Sequence, residues 1–155
     1  MAEMEKSIVV DAPLREVYDQ WTQFEEFPQF MEGVVEVRQL DDKRLYWRAN
    51  IGGAEREWHA EIVDQTPDRR IAWKSLTGAE HGGAVLFRPV NDGRTEVTLR
   101  MQYNPEGVTE NVGDALGFVS RRVQGDLDRF RTFIEERGRS TGGWRGEIHG
   151  RQVER

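Results

Sequence analysis

A chain of 155 residues and 18.0 kDa has the size of one ordinary domain with a single sizeable core. Its net charge of -6 and pI near 5.2 argue against a nucleic-acid partner, since neutralising phosphates takes a basic surface or stripe. With no cysteine there is no disulfide framework, thiol nucleophile or thiolate metal site, which suits a reducing cytosol.

Residues Met4 to Val10 read as an opening strand. The N-terminal MAEMEKSIVVDAP lacks the basic flank and apolar run of a signal peptide. No run approaches the roughly 18 apolar residues of a membrane span, so a cytoplasmic protein without an integral membrane segment is expected. Asp11 and Pro13 mark a helix start, Asp11 as a cap for free N–H groups and Pro13 as a residue tolerated in a first turn. Leu14, Val17, Tyr18 and Trp21 form the buried face of that helix. The stretch WTQFEEFPQFMEGV, residues 21 to 34, then spaces Trp21, Phe24, Phe27 and Phe30 three apart, with Met31 adjoining. Pro28 forbids one uninterrupted helix, so two short helical pieces are expected over residues 12 to 31. Such pieces cannot bury so much aromatic surface on each other. The aromatics must dock on something larger or wall a cavity.

From residue 34 to 103 turn chemistry recurs at Asp41-Asp42, Gly52-Gly53, Pro67-Asp68, Gly78 and Asn91-Asp92-Gly93. Between the turns the sequence alternates with period two. Leu45, Trp47, Ala49 and Ile51 share one face, as do Trp58, Ala60 and Ile62, then Ile71 and Trp73, and finally Val97, Leu99, Met101 and Tyr103. The phase around Val85 to Phe87 is open, because Ala84 and Leu86 are also apolar. With the opening strand this makes seven strands in an antiparallel meander with one polar and one apolar face. After the turn at Asn104 to Gly107, Val112, Leu116, Val119, Val123, Leu127, Phe130 and Ile134 recur every three or four residues, predicting one helix to about Arg137 with its stripe on the sheet. Residues 139–155, rich in glycine and charge and without period, read as a flexible tail to a domain spanning 1–138.

This element order, together with VVDAPLREVYDQWTQFEEFPQFMEGVVEV (residues 9 to 37), the turn at Asn104 to Gly107 and GDLDRFRTFIEERG (residues 125 to 138), resembles the START-like polyketide cyclase/dehydrase and lipid-transport superfamily. That superfamily, also called SRPBCC, includes the coenzyme Q-binding START-like proteins. The resemblance implies an α+β helix-grip fold: a seven-stranded curved antiparallel sheet wrapped around a long C-terminal helix, with two short helices between strands 1 and 2. It also implies a cavity between sheet and helix for a small hydrophobic molecule, with the short helices closing one end. Such folds host carriers, receptors and enzymes, so substrate does not follow from fold.

Within that frame, Trp47, Trp58, Trp73, Met101 and Tyr103 present a flat apolar wall with a few donors, suited to aromatic polyketides, isoprenoid quinones or lipid-like ligands, or else to a plain core. Trp21, Phe24, Phe27, Phe30, Met31 and Phe87 either touch ligand or seal the core. Gly113 and Gly117, beside Leu116 and in line with Ser120, make room for a ligand or for a large sheet side chain. Parity also places Arg56, Ser75 and Thr77 inward. The catalytic candidates are Arg56, to polarise a carbonyl, and Tyr103, to donate a proton, as a cyclase acting on a poly-β-ketone requires. Glu57, His59 and Glu61 share an outward face and form no recognised metal spacing. No phosphate loop, dinucleotide fingerprint or nucleophile elbow is present, and no cofactor is expected. Arg122 is the helix charge that can reach a pocket rim. The first expectation is a binding protein, monomeric or homodimeric, and the second an aromatase-like cyclase. A third, a lipid or quinone carrier with transient membrane contact, requires exposed apolar residues between Phe24 and Met31.

Overall fold

The computed structural model describes residues 2–51, 53–78, 80–91, 93–103 and 112–154, with the side chains of residues 2, 51 and 112–120 outside the description. The turn at Asn104 to Gly107 and the side chains of Leu116 and Ser120, like the helix-facing surroundings of Gly113 and Gly117, therefore lie outside the described residues.

In chain order the elements are β1 (Ala2–Val10), α1 (Leu14–Trp21), a 3-10 helix (Phe24–Gln29), β2 (Val34–Gln39), β3 (Arg44–Ile51), β4 (Ala54–Thr66), β5 (Arg70–Ser75), β6 (His81–Asn91), β7 (Arg94–Tyr103), α2 (Val112–Arg137), β8 (Glu147–His149) and β9 (Gln152–Glu154). The sheet runs β1-β7-β6-β5-β4-β3-β2, so β2 to β7 form an antiparallel meander that β1 closes against β7. β8 joins β4, and β9 joins β8, making nine strands where the sequence reading gave seven.

The N-cap of the first helix falls two residues after the expected Asp11. Pro13 occupies the N-cap position without a side-chain bond, and the Asp11 N–H instead donates to Glu135 Oε2 of α2 at 2.8 Å. The piece that follows carries Pro28 and winds at three residues per turn, which matches the spacing of its aromatics. Phe24, Phe27 and Phe30 thus come into edge contact, with successive centroids 5.5 and 5.6 Å apart. Trp21 and Phe30 meet Phe130 of α2 at 4.8 and 5.2 Å, and Trp21 and Tyr18 reach Phe87 of β6 at 6.4 and 5.2 Å. With Val123, Leu127, Ile134, Val10, Val85 and Val97 these rings form the core, and the burial of Val85 and Phe87 sets the phase of β6.

Residues 139–154, expected as a flexible tail, lie against the domain and contribute two short strands. β4 has 13 residues and β3 has 8, and their pairing ends at Arg44 opposite Glu61. The β4 edge beyond Glu61 is taken by β8, with His149 opposite Asp64 and Ile148 opposite Gln65. Ile148 is fully buried. On the way to β8 the backbone N–H groups of Ser140, Thr141 and Trp144 donate to Glu16 Oε2, Gln20 Oε1 and Thr22 Oγ1 of the α1 region at 2.7, 2.8 and 3.0 Å. Arg145 pairs with Asp19 and Asp68, at 2.6 Å each, while its guanidinium lies over the Tyr18 ring. Gly143 permits this approach, because a Cβ there would stand 2.7 Å from Asp19 Cγ. Gly142 and Gly146 are crowded in the same way, by Gln23 and Trp144, so three of the glycines that read as flexibility serve close packing.

Candidate functional site

The inner sheet face has two unlike ends. Toward β1's C-terminal end it is sealed by the aromatic core and the second half of α2. Toward the β3–β4 hairpin, Trp47 and Trp58 lie opposite each other and stack, with centroids 5.7 Å apart and planes 9° from parallel. Both rings are half-buried, and Phe27 touches Trp47 at 5.6 Å.

Next to this pair runs a lateral row set by register. Leu45 faces Ala60, Ala60 faces Ser75, and His81 faces Tyr103. The β5–β6 register, which pairs Lys74 with Gly82, sets Ser75 beside His81, whose N–H donates to Ser75 Oγ at 3.0 Å. The His81 ring meets Trp58 edge-on at 5.5 Å. One row deeper, Ile62, Trp73, Gly83, Met101 and Met4 lie side by side. Gly83 leaves the space that the Trp73 indole occupies, since a Cβ at 83 would come within 2.9 Å of its Cη2 and would also strike the Arg100 carbonyl. Trp73, Met101 and Met4 are half-buried, as are the two stacked tryptophans.

Tyr103 is 3% exposed and its hydroxyl meets no hydrogen-bond partner among the described residues. Burial raises its pKa above the ordinary phenol value, so the hydroxyl stays protonated at neutral pH. Arg56, by contrast, is exposed, near the hairpin tip opposite Ala49. β5 and β6 separate it from Tyr103, about 14 Å at the usual strand spacing. The two cannot polarise and protonate one carbonyl together, as the sequence reading paired them. Thr77 is exposed and accepts from the His59 N–H at 2.9 Å.

Of the opening aromatics, Trp21, Phe24, Phe27 and Phe30 are buried, with Met31 half-buried beside them. Of the stretch Phe24 to Met31 that a membrane-visiting carrier would need exposed, Phe24, Phe27 and Phe30 face the core and Met31 is half-buried. No helix among the described residues is long and apolar enough to cross a membrane. Arg122 does reach across to the loop before β2, donating to the Glu32 carbonyl at 2.6 Å. Arg129 donates to the Phe30 carbonyl at 2.9 Å, and Asp126 accepts from the Glu32 N–H at 3.0 Å. Burial pushes the Asp126 carboxyl pKa up against the opposing pull of Arg129. α2 thus clasps the loop through its polar face.

A surface concavity of about 760 Å³ spans β1, β7, β6 and β5, taking in outward Glu3, Glu5, Arg70, Lys74 and Arg100 with Met4, Trp73, Ser75, His81 and Met101. Its lining mixes the two faces: the outward chains Glu5 and Arg100 pair across it at 3.3 Å, while Trp73 and Met101 belong to the inward row. Trp47 and Trp58 do not line it. Among the described residues no group of three or more His, Asp or Glu can hold a metal.

His81 and Gly83 are residues to which the sequence alone assigned no role, His81 reading as a turn histidine beside Gly82 and Gly83. The signal was available: once Val85 and Phe87 are taken as inward, residues 83 and 81 follow by alternation.

The sequence matches the family described as polyketide cyclase / dehydrase and lipid transport over residues 10–131. A 17.2 kDa protein from the melC2-rnhH intergenic region of Streptomyces lincolnensis is 50% identical over 149 residues, 96% of this chain and 99% of that one. Among solved structures, DR_A0006 from Deinococcus radiodurans is similar with a TM-score of 0.69 and 30% identity, over 89% of this chain and 99% of that one. The Zhui aromatase/cyclase from Streptomyces sp. R1128 has a TM-score of 0.75 at 18% identity, over 92% of this chain and 99% of its own, a likeness of fold. With a helix-grip α+β architecture and a family match across most of its length, the chain belongs to the polyketide cyclase / dehydrase and lipid transport family.

Proposed function

We propose that this protein binds a small, planar, largely apolar molecule against Trp47, Trp58 and Trp73, in the space between the sheet and the first turns of α2. The observation that carries this reading is the half-burial of three inward tryptophans at one end of a sheet whose other end is sealed. A flat indole surface kept partly open recognises flat apolar ligands by contact area and ring geometry. Aromatic polyketides, isoprenoid quinones and lipid-like molecules fit that description. Native mass spectrometry of gently purified protein, followed by organic extraction, tests it. A discrete bound species of this kind supports the reading. A clean apo mass together with no thermal shift against quinones, sterols, fatty acids and aromatic polyketides removes it.

A second reading, cyclisation and dehydration of a poly-β-ketone in the same space, is favoured by the family and by the aromatase/cyclase among the structural neighbours. Tyr103 would supply a proton, and Arg56 would bind a separate, more distant group of an extended substrate. Loss of turnover with retained binding in Arg56→Ala supports it. Unchanged turnover in both Arg56→Ala and Tyr103→Phe takes these residues out of the chemistry.

A further inference from the structure

Four buried polar side-chain atoms among the described residues lack a hydrogen-bond partner: Gln20 Nε2, Gln65 Oε1, Asp68 Oδ1 and Tyr103 Oη. The first three belong to residues otherwise tied up around Tyr18 and the C-terminal strap, through Thr141, Tyr18 and Arg145. Tyr103 stands apart. It lies on the inner face, in the row that carries Ser75 and His81, with Met101 one row deeper and Trp58 against His81. A buried hydroxyl without a partner is costly, and native folds keep one where something else completes it.

Resting on the aromatic-ligand reading above, we infer that Tyr103 is the specificity residue of the site and donates its O–H to a neutral carbonyl of the ligand, selecting aromatic ketones or quinones over hydrocarbons of the same shape. The choice of a neutral acceptor follows from position. An anionic group brought to Tyr103 would be desolvated with no lysine or arginine of the described residues nearby, and with only the His81 ring across the strand pair. The inward-phase cation of the adjoining strand, Lys6, is paired in register with Leu99, four residues along β7 and about 13 Å away by strand rise. Arg56 is separated by two strands.

The test uses fluorene and 9-fluorenone, planar tricycles that differ by one carbonyl, in equilibrium dialysis against wild type, Tyr103→Phe and Trp58→Ala. The ratio of fluorenone to fluorene affinity should fall by roughly five- to tenfold in Tyr103→Phe, the scale of one buried hydrogen bond. Trp58→Ala should weaken both probes without changing the ratio. If wild type and Tyr103→Phe give the same ratio while Trp58→Ala weakens both probes, the inference is overturned and the aromatic-ligand reading stands. If wild type binds neither probe, both fall. Thermal melting of the apo proteins gives an independent check. An orphan hydroxyl predicts that Tyr103→Phe melts no lower than wild type, and a clearly lower melting temperature would mean that the hydroxyl already has a structural partner.

Discussion

Replacing Ile148 by alanine tests whether the last sixteen or so residues belong to the fold. The side chain is 0% exposed and sits on β8 opposite Gln65, inside the core cluster. The substitution removes three carbons, about 2.4 kcal/mol at roughly 0.8 kcal/mol per buried methylene, with a cavity contribution on top. The total should be about 3 kcal/mol, capped by whatever the docked strap contributes, since the strap can detach before the domain unfolds. In a urea titration at 25 °C followed by tryptophan fluorescence, an m-value near 2 kcal/mol per molar turns this into a midpoint drop of roughly 1.5 M. Arg145→Ala should act in the same direction, because it strands the Asp19 and Asp68 carboxylates, which are 12% and 33% exposed. An unchanged midpoint in Ile148→Ala, matched by a truncation after residue 138, would mean that the segment adds nothing and that the mobile-tail expectation was right.

Other consequences follow from single contacts. Gly83→Leu should cost about 1–3 kcal/mol by forcing Trp73 off its place, readable as a lower urea midpoint and a shifted tryptophan emission; a neutral result would mean the indole does not lie over residue 83. Phe27→Asp should unfold the domain rather than tune liposome binding, since the ring is 3% exposed and touches Trp21, Phe24, Phe30 and Trp47; a folded variant by circular dichroism would contradict this placement. Trp58→Ala, half-buried and stacked, should lower aromatic-ligand affinity about tenfold while leaving the fold intact; equal affinity would move the site elsewhere. His149 faces Asp64 through Nδ1 and Glu147 through Nε2, and these carboxylates raise its pKa above the ordinary 6.5. Its contribution is complete below pH 6.5 and is lost as pH rises through the raised value. The stability difference between wild type and His149→Ala should therefore be larger at pH 6 than at pH 9, and a difference independent of pH would show that the docked ring is neutral.

The sequence by itself determined the elements whose signal is local. Alternation in β3, β4 and β7 is dictated by the pleat, which sends neighbouring side chains to opposite faces, so Leu45, Trp47, Ala60 and Val97 could be placed inward before any coordinates. The stripe Val123, Leu127, Phe130 and Ile134 likewise needs only the helical repeat. Even the crowding of Trp21, Phe24, Phe27 and Phe30 contained its answer, a spacing of three that a 3-10 turn satisfies. Tertiary structure decided what depends on partners far away in the chain. That those aromatics pack into the core depends on Phe130 and Phe87, about 100 and about 65 residues away along the sequence. Whether residues 139–154 docked was settled by an unpaired stretch of β4, by α1 acceptors such as Glu16 and Gln20, and by one buried isoleucine, none of which leaves a period in a glycine-rich, charged segment. The row of Ser75, His81 and Tyr103 exists only once three strands are in register, because side-chain chemistry at a site is the sum of neighbours across a sheet and alternation along one strand cannot count them.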